Sequence, residues 1–152
     1  MEHSVRAIAW VRSSRVDLVD DHWSRESSQI VLDESTPSEA LTGLEEFSHL
    51  EVVGLAHAAM DTPPAPWRRH PRGNTEWPEV GVFAQRNKDR PNRLLLSVIQ
   101  VVAVRDRVID VRGLDFVDGT PILDIKPVFR WTFPTGEVVA PSWSDELGTD
   151  YF

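Results

Sequence analysis

Short runs of alternating apolar and polar residues recur along this chain, a pattern typical of half-buried β-strands. Residues 107–114 show it clearly, because Ile109 and Val111 alternate with Val108, Asp110 and Arg112. One face of that strand is therefore expected to be packed and the other solvated. The complete set of predicted strands covers residues 5–11, 28–34, 49–57, 80–84, 94–104, 107–114 and 121–127.

The connections between these strands are mostly short. Arg105-Asp106 and Asp118-Gly119 fall where hairpin turns are expected. Only one helix start is predicted, with Thr36 as N-cap, Pro37 at the first helical position and Glu39 completing a capping box. Gly43 limits that helix to one or two turns. Many antiparallel strands with one or two short helices predict a mainly β fold, a small antiparallel β-barrel.

A long stretch between two predicted strands, residues 60–80, is rich in proline and arginine. Its five prolines exclude a regular helix or a central strand. Long irregular loops in compact domains are uncommon and are often functional.

Composition narrows the class of protein. The 152 residues suit one domain, and the absence of cysteine excludes disulfides and thiolate chemistry. The sequence shows neither a regular alternation of strands and helices nor a Gly-rich phosphate-binding loop, and this disfavours a Rossmann fold. Neither a signal peptide nor an apolar run of about 20 residues is evident, so we expect no membrane association and a cytoplasmic location.

A metal site is not expected. His49 and His57 would stand ~26 Å apart on one strand, too far to share an ion. No close set of His and acidic ligands accompanies them. Structural roles are favoured for both.

Charge is distributed unevenly. The chain carries a net charge of -8, yet residues 67–93 hold seven basic and three acidic side chains. A basic segment on an acidic body is a candidate polyanion site. The alternative is a solvated loop whose arginines pair with the acidic body.

Two segments carry the candidate chemistry. The loop "AQRNKDRPNR" (84–93) is stiffened by Pro91 and offers guanidinium groups that suit carboxylate or phosphate. The stretch "GLDFVDGTPILDIKP" (113–127) places charged side chains among apolar ones, which costs free energy unless they are paired or used. A turn explains Asp118, and mutual pairing explains Asp124 and Lys126. A cationic ligand held by carboxylates would also explain Asp115.

With the blocks "AIAWVRSS" and "ALTGLEEFSHLEVVGLAH", these two segments resemble the TsaA-like or TrmO-type methyltransferases. The resemblance covers most of the chain. It implies a small β-barrel and a homodimer that binds S-adenosylmethionine (SAM) near the subunit contact. It also implies methylation of N6 of threonylcarbamoyladenosine beside the tRNA anticodon.

Specific residues follow from the resemblance. The implied cofactor-binding residues are Arg86, Arg90, Pro91, Asn92, Ser97, Leu114, Asp115, Asp118, Thr120, Asp124, Lys126 and His57. No general base is identified, and the candidates for a catalytic role are Asn92, Asp124 and Lys126. The RNA-contact candidates come from the basic segment itself and not from the resemblance: Trp67 and Trp77 offer stacking faces beside Arg68, Arg69 and Arg72.

The chain also departs from the family. Arg93, Leu94 and Leu95 stand where many members have Pro-Ile-Gly, and Val128 stands where many have Tyr. Longer bacterial members have an extra C-terminal domain, whereas we expect residues 1–152 to form one domain with 135–152 as a tail. Two alternatives stay open: a SAM-dependent methyltransferase of a small molecule, and a non-catalytic SAM- or RNA-binding module.

Overall fold

The computed structural model describes residues 3–152; Met1 and Glu2, the start of the predicted single domain, lie outside the described range. Within it, six antiparallel strands close into a barrel in the order β1-β2-β7-β6-β3-β8. The predicted small β-barrel is confirmed. The barrel strands are β1 (Ala9–Arg12), β2 (Ser27–Leu32), β3 (His49–Leu55), β6 (Leu94–Arg105), β7 (Val108–Arg112) and β8 (Pro121–Pro127).

Outside the barrel, the proline-rich stretch contains a two-stranded ribbon, β4 (Arg68–Arg69) paired with β5 (Val80–Gly81). Helix α1 (Ser142–Gly148) lies near the C-terminus, and several short 3-10 helices occur in the connections. No helix in residues 3–152 combines the length and the apolar character needed to cross a membrane.

The barrel interior is filled by aliphatic side chains. Ile30, Leu50, Ile99, Ile109 and Ile122 are fully or almost fully buried. The alternation predicted for residues 107–114 is confirmed, because Val111 is buried next to the exposed Arg112. Burial of these apolar surfaces is the main favourable contribution to folding.

All the strands alternate in direction, so alternate chain connections meet at the same end of the barrel. Segments 13–26, 56–67, 84–93 and 113–120 lie at one end, which we call the Asp118 end. The two candidate segments of the sequence are therefore brought together by the topology.

The hairpin predicted at Asp118-Gly119 is wrong. β8 pairs with β3 and β1 and not with β7. Residues before the turn do not pair as a strand, because Leu114 and Phe116 are drawn into the core. The turn itself is closed locally, where the Thr120 amide and hydroxyl both donate to the Val117 carbonyl at 3.2 and 2.7 Å.

The predicted capping box is also wrong. Residues Ser38–Leu41 and Leu44–Glu46 form 3-10 turns, and no side chain caps either of them. The Thr36 amide donates instead to the Asp33 carbonyl at 2.8 Å. The predicted break at Gly43 is confirmed, since its φ of 84° is left-handed and favours glycine.

Several strand boundaries differ from the prediction; the first strand, for example, begins at Ala9 and not at Val5, and two other differences bear on the site. The strand predicted over 80–84 lasts only to Gly81, because Val82–Ala84 turns into a 3-10 helix. β3 ends at Leu55, so His57 lies beyond the strand in a 3-10 turn (His57–Ala59). This break carries the His57 side chain toward the Asp118 end.

The C-terminal segment packs back onto the body. The Trp77 indole Nε1 donates to Glu146 Oε2 at 2.8 Å, and the Trp77 and Trp143 rings lie 6.3 Å apart. The Trp23 amide donates to the Tyr151 carbonyl at 2.8 Å. Residues of the expected tail thereby reach the Asp118 end.

Candidate functional site

The Asp118 turn is fixed to the segment that follows β1. Asp118 Oδ1 accepts a 2.9 Å hydrogen bond from the Ser13 amide, and the Asp118 amide donates to the Arg15 carbonyl at 2.8 Å. Gly119 has a left-handed φ of 73°, and its amide donates to the Val11 carbonyl at 2.9 Å. The backbone of this turn is therefore preorganised by β1 and its continuation.

His57 lies against the same turn. A Cβ added at Gly119 would stand 3.6 Å from His57 Nε2, so the imidazole covers the glycine. The other ring nitrogen, Nδ1, is buried and has no hydrogen-bond partner in residues 3–152. His57 is thus available to a ligand through Nδ1.

Asp115 makes a contact that the sequence did not indicate. Its Oδ2 accepts a 2.5 Å hydrogen bond from the Tyr151 hydroxyl, whereas its Oδ1 is buried and unpartnered among the described residues. Burial, followed by the charge and hydrogen bond of Asp115, raises the pKa of Tyr151. The charge of Arg86 acts on that pKa in the opposite direction.

The arginines of the 84–93 loop mostly shape the loop. Arg90 Nη1 donates to the Gln85 carbonyl at 2.5 Å, and Arg86 Nη2 donates to the Leu96 carbonyl at 2.9 Å. Arg93 is buried, has a left-handed φ of 54°, and pairs with Asp89 at 3.1 Å. Pro91 and Asn92 stay exposed at the tip.

Asn87, in the same loop, carries an unusual feature. Neither its side-chain oxygen nor its nitrogen has a hydrogen-bond partner in residues 3–152, although both atoms are buried. An amide offers donors and acceptors in one group, and buried amides are nearly always satisfied. Asn87 is therefore a strong candidate ligand-binding residue.

Other residues implied by the resemblance lie further from solvent. Leu114 and Thr120 are buried, and the Thr120 hydroxyl is used within the turn. Ser97 lies opposite Val52 on β3, and its buried hydroxyl has no partner in the described chain. Leu114 packs in the barrel core, and Thr120 supports the turn.

Asp124 and Lys126 form an ion pair with each other on β8. Asp124 also accepts a 3.0 Å hydrogen bond from the Ile125 amide. Their strand neighbours are Val53 and Glu51 of β3. Mutual pairing, one of the two interpretations from sequence, accounts for both side chains.

The residues considered for RNA contact are largely engaged with acidic partners. Arg68 pairs with Glu79 at 3.3 Å, Arg69 with Asp89 at 3.7 Å, and Arg72 with Asp21 at 2.7 Å. The alternative of an internally paired basic loop therefore describes these arginines. Trp67 remains 70% exposed, next to the equally open Phe83 at a ring distance of 6.2 Å.

Sequence reasoning missed two residues of this site. Asn87 lies inside the quoted loop, but nothing in the pattern shows that both of its amide atoms are buried. Tyr151 is separated from Asp115 by 36 residues, and its role depends on how the C-terminal segment folds back.

The assembled site combines a buried carboxylate oxygen, a free imidazole nitrogen and a free amide. Such groups suit a small ligand that carries ammonium, hydroxyl and heterocyclic nitrogen atoms. No group of three or more His, Asp or Glu side chains in residues 3–152 is arranged to hold a metal ion.

Comparisons with known proteins identify relatives of this chain. Residues 19–132 match the sequence model of a family described as the tRNA-methyltransferase O N-terminal domain. The Escherichia coli protein named tRNA (adenine(37)-N6)-methyltransferase is 44% identical over 96 residues, which cover 59% of this chain and 40% of that protein.

A Methanothermobacter thermautotrophicus protein, named as a probable S-adenosyl-L-methionine-binding protein, is 35% identical over 135 residues. That match covers 86% of this chain and 93% of the relative. A solved structure of TrmO from Pseudomonas aeruginosa is similar with a TM-score of 0.73 at 28% identity, covering 91% of this chain and 61% of that one. The chain thus spans less than half the length of the Escherichia coli relative, and 49% of the length of a Pseudomonas aeruginosa relative that is 35% identical to it.

Proposed function

Because the chain belongs to the family of the tRNA-methyltransferase O N-terminal domain, we propose that it is a SAM-dependent methyltransferase that acts on tRNA. The methylated atom is N6 of the threonylcarbamoyladenosine beside the anticodon. The proposal places the protein in the cytoplasm, together with its substrate.

The observation that carries the proposal is the set of buried, unpartnered polar atoms at the Asp118 end. They include His57 Nδ1, both amide atoms of Asn87 and Asp115 Oδ1, beside Arg15 Nη1 and Trp23 Nε1 of the segment 13–26. Each unsatisfied buried group costs about 1–3 kcal/mol. A bound ligand would supply the missing partners, and the groups of SAM have the complementary chemistry.

Each of these side chains suits a different chemical group of SAM. Asp115 Oδ1 can accept a hydrogen bond from an ammonium or a ribose hydroxyl, and Asn87 can donate and accept at once. His57 covers the Asp118 turn and offers Nδ1. Arg86, exposed in the 84–93 loop at the same end, can pair with a carboxylate of the ligand.

When bound, SAM supplies a methyl group on a positively charged sulfur. The contribution of the protein is mainly to align the acceptor with that group, since orientation alone can lower a barrier by about 7–11 kcal/mol. Asn92 is exposed at the loop tip and can hydrogen-bond the acceptor base. Asp124 and Lys126 are tied to each other, so of the three catalytic candidates Asn92 is the one we favour.

Two measurements test the two halves of the proposal separately. Calorimetry with SAM and with its demethylated product should show one site per chain. Incubation with SAM and tRNA, followed by mass spectrometry of the nucleosides, should show a methylated threonylcarbamoyladenosine. A folded protein without SAM binding overturns both halves, whereas SAM binding with unmodified tRNA and methylation of a small molecule overturns only the tRNA half.

We also propose that the protein is a homodimer. Leu94, Leu96 and Val98 point outward along β6 and are 45%, 49% and 52% exposed. A contiguous exposed apolar strip marks an interaction surface. A second copy is the occupant we favour, because one apolar strip can pack against its own symmetry mate around a two-fold axis.

Light scattering tests the dimer, with a mass of twice 17.2 kDa expected for the wild type. Leu96→Lys/Val98→Lys should return the monomer mass. The matched control is Val5→Lys/Val16→Lys, at exposed positions away from β6. A monomeric wild type at working concentration refutes the proposal.

A further inference from the structure

A cleft of about 570 Å³ lies on the outer wall of the barrel, where β1, β2 and β7 run side by side. Its lining includes Arg12, Ser13, Ser14, Ser27, Arg105 and Arg112. The strand register pairs Arg12 with Gln29 and Arg112 with Ser27. The two arginines therefore approach β2 from opposite sides.

The positive charge of this cleft is not neutralised internally. Asp110 is the acidic side chain in the lining, and it already pairs with Arg105 and accepts a 2.8 Å hydrogen bond from Gln29. The side chains of Arg12 and Arg112 are exposed, and neither forms an ion pair or a side-chain hydrogen bond within residues 3–152. They differ in this from Arg68, Arg69 and Arg72, whose charges are paired.

The cleft also adjoins the candidate cofactor turn. Ser13, at its rim, donates its backbone amide to Asp118 Oδ1 at 2.9 Å. Arg112 is followed directly by Gly113, the first residue of the segment that carries Asp115 and Asp118. A group bound in the cleft would therefore be held next to the site of methyl transfer.

We propose that this cleft binds backbone phosphates of tRNA, resting on the proposed function for the choice of polyanion. Guanidinium groups bind phosphate through paired N–H donors, and serine hydroxyls add further donors. Contacts to phosphate set the position of a nucleic acid without reading its sequence. Arg12 and Arg112 thus position the RNA so that the target base reaches the Asp118 end.

The test compares two double variants that remove the same charge. Arg12→Gln/Arg112→Gln removes the two unpaired guanidinium groups from the cleft. The control, Arg6→Gln/Arg130→Gln, changes exposed arginines before β1 and after β8, at the opposite end of the barrel. Fluorescence anisotropy with labelled tRNA is measured between about 0.05 and 0.3 M salt.

At about 0.1 M salt, the cleft variant should bind tRNA about tenfold or more weakly, and its log K against log salt slope should be shallower by about 1.5 to 2. The control variant should lose much less tRNA affinity. SAM binding and the melting temperature should match the wild type in both variants. Arg12→Lys/Arg112→Lys, which keeps the charge, should recover part of the loss.

Several results would overturn the cleft assignment. Equal losses of tRNA affinity in the cleft and control variants would show that only the net charge of the protein matters. Unchanged tRNA binding in the cleft variant would leave the proposed function standing without this site. Inorganic phosphate that binds the cleft as tightly as tRNA would make free phosphate the ligand. A wild type that binds SAM but no tRNA would remove the tRNA substrate and this inference together.

Discussion

The Tyr151 hydroxyl donates its hydrogen bond to one oxygen of Asp115 and leaves the other oxygen buried and unpartnered in the described chain. A residue of the C-terminal segment thereby fixes the orientation of a carboxylate in the candidate cofactor site. Under the proposed function, Tyr151 is a positioning residue that acts through Asp115.

Replacing Tyr151 with Phe keeps the ring and removes the donor. Hydrogen bonds to charged groups contribute about 1.5–3 kcal/mol, so we expect a loss of about that size in the free energy of unfolding. SAM affinity should fall several-fold, because Asp115 is no longer held. Urea denaturation and calorimetry measure the two effects, with Phe152→Leu at the exposed neighbouring ring as control. Unchanged stability and affinity would deny Tyr151 this role.

The same tyrosine predicts an alkaline limit to stability. Its pKa in the folded protein is raised above the ordinary value of about 10, by burial and then by Asp115. Below pH 10 the group is protonated in both states, so its contribution is constant. As pH rises above 10, the unfolded state releases this proton and the folded state does not, so stability falls. Melting temperatures from about pH 9 to 11.5 should decline less steeply in Tyr151→Phe than in the wild type.

Substitution of Asn87 can distinguish a ligand-binding role of this residue from a structural role. Neither of its amide atoms has a partner in residues 3–152, so Asn87→Ala removes no hydrogen bond of the free protein. We expect unchanged or slightly higher stability together with about tenfold weaker SAM binding, since a hydrogen bond of this kind contributes about 1 kcal/mol or more. The matched control is Asn74→Ala, whose side-chain oxygen accepts a bond from the Glu76 amide outside the site. A large loss of stability with intact SAM affinity would make Asn87 structural.

Gly54 on β3 allows the close approach of Phe116. A Cβ at this position would lie 2.7 Å from Phe116 Cε2 and 3.3 Å from the Pro121 carbonyl oxygen. Phe116 is buried in the packed core, so Gly54→Ala should destabilise the fold by about 1–3 kcal/mol.

The second residue of this contact supplies the check. In Gly54→Ala/Phe116→Leu the smaller Leu side chain makes room for the added methyl group. The double variant should therefore lose less free energy of unfolding than the sum of the losses in the two single variants. Gly148→Ala, at the last residue of α1, where an added Cβ would meet no atom within 4 Å, should be nearly neutral. Additive losses at Gly54 and Phe116 would show that the contact is not the cause.

Much of the barrel could be predicted from local pattern. The alternation around Ile109 and Val111 and the apolar run at 94–104 identify two strands, because one face of each is buried. Local pattern does not reveal pairing partners, so the turn at Asp118 was assigned to a hairpin that β8 does not form. The quoted motifs located Asp115, Asp118 and His57, and the structure brings them to one end.

The rest of the site depends on contacts between distant segments. Tyr151 reaches Asp115 in a C-terminal segment that folds back, where the Trp23 amide donates to the Tyr151 carbonyl and the His22 amide to the Asp150 carbonyl. The pairing of Arg72 with Asp21 likewise joins two loops whose sequences show only opposite charge. Exposed arginines such as Arg12 have no sequence signature, since their lack of partners is a property of the folded surface.

Closure of the barrel has a kinetic consequence. The seam is formed by β1 and β8, where Ala9 pairs with Ile122 from nearly the other end of the chain. Contacts between residues far apart in sequence form slowly, because the chain loses the entropy of closing a long loop before it gains the favourable energy of the contact. The Ser13–Asp118 hydrogen bond lies at this same seam. During refolding, we therefore expect SAM binding to return with the slowest phase and not with early burial of the tryptophans.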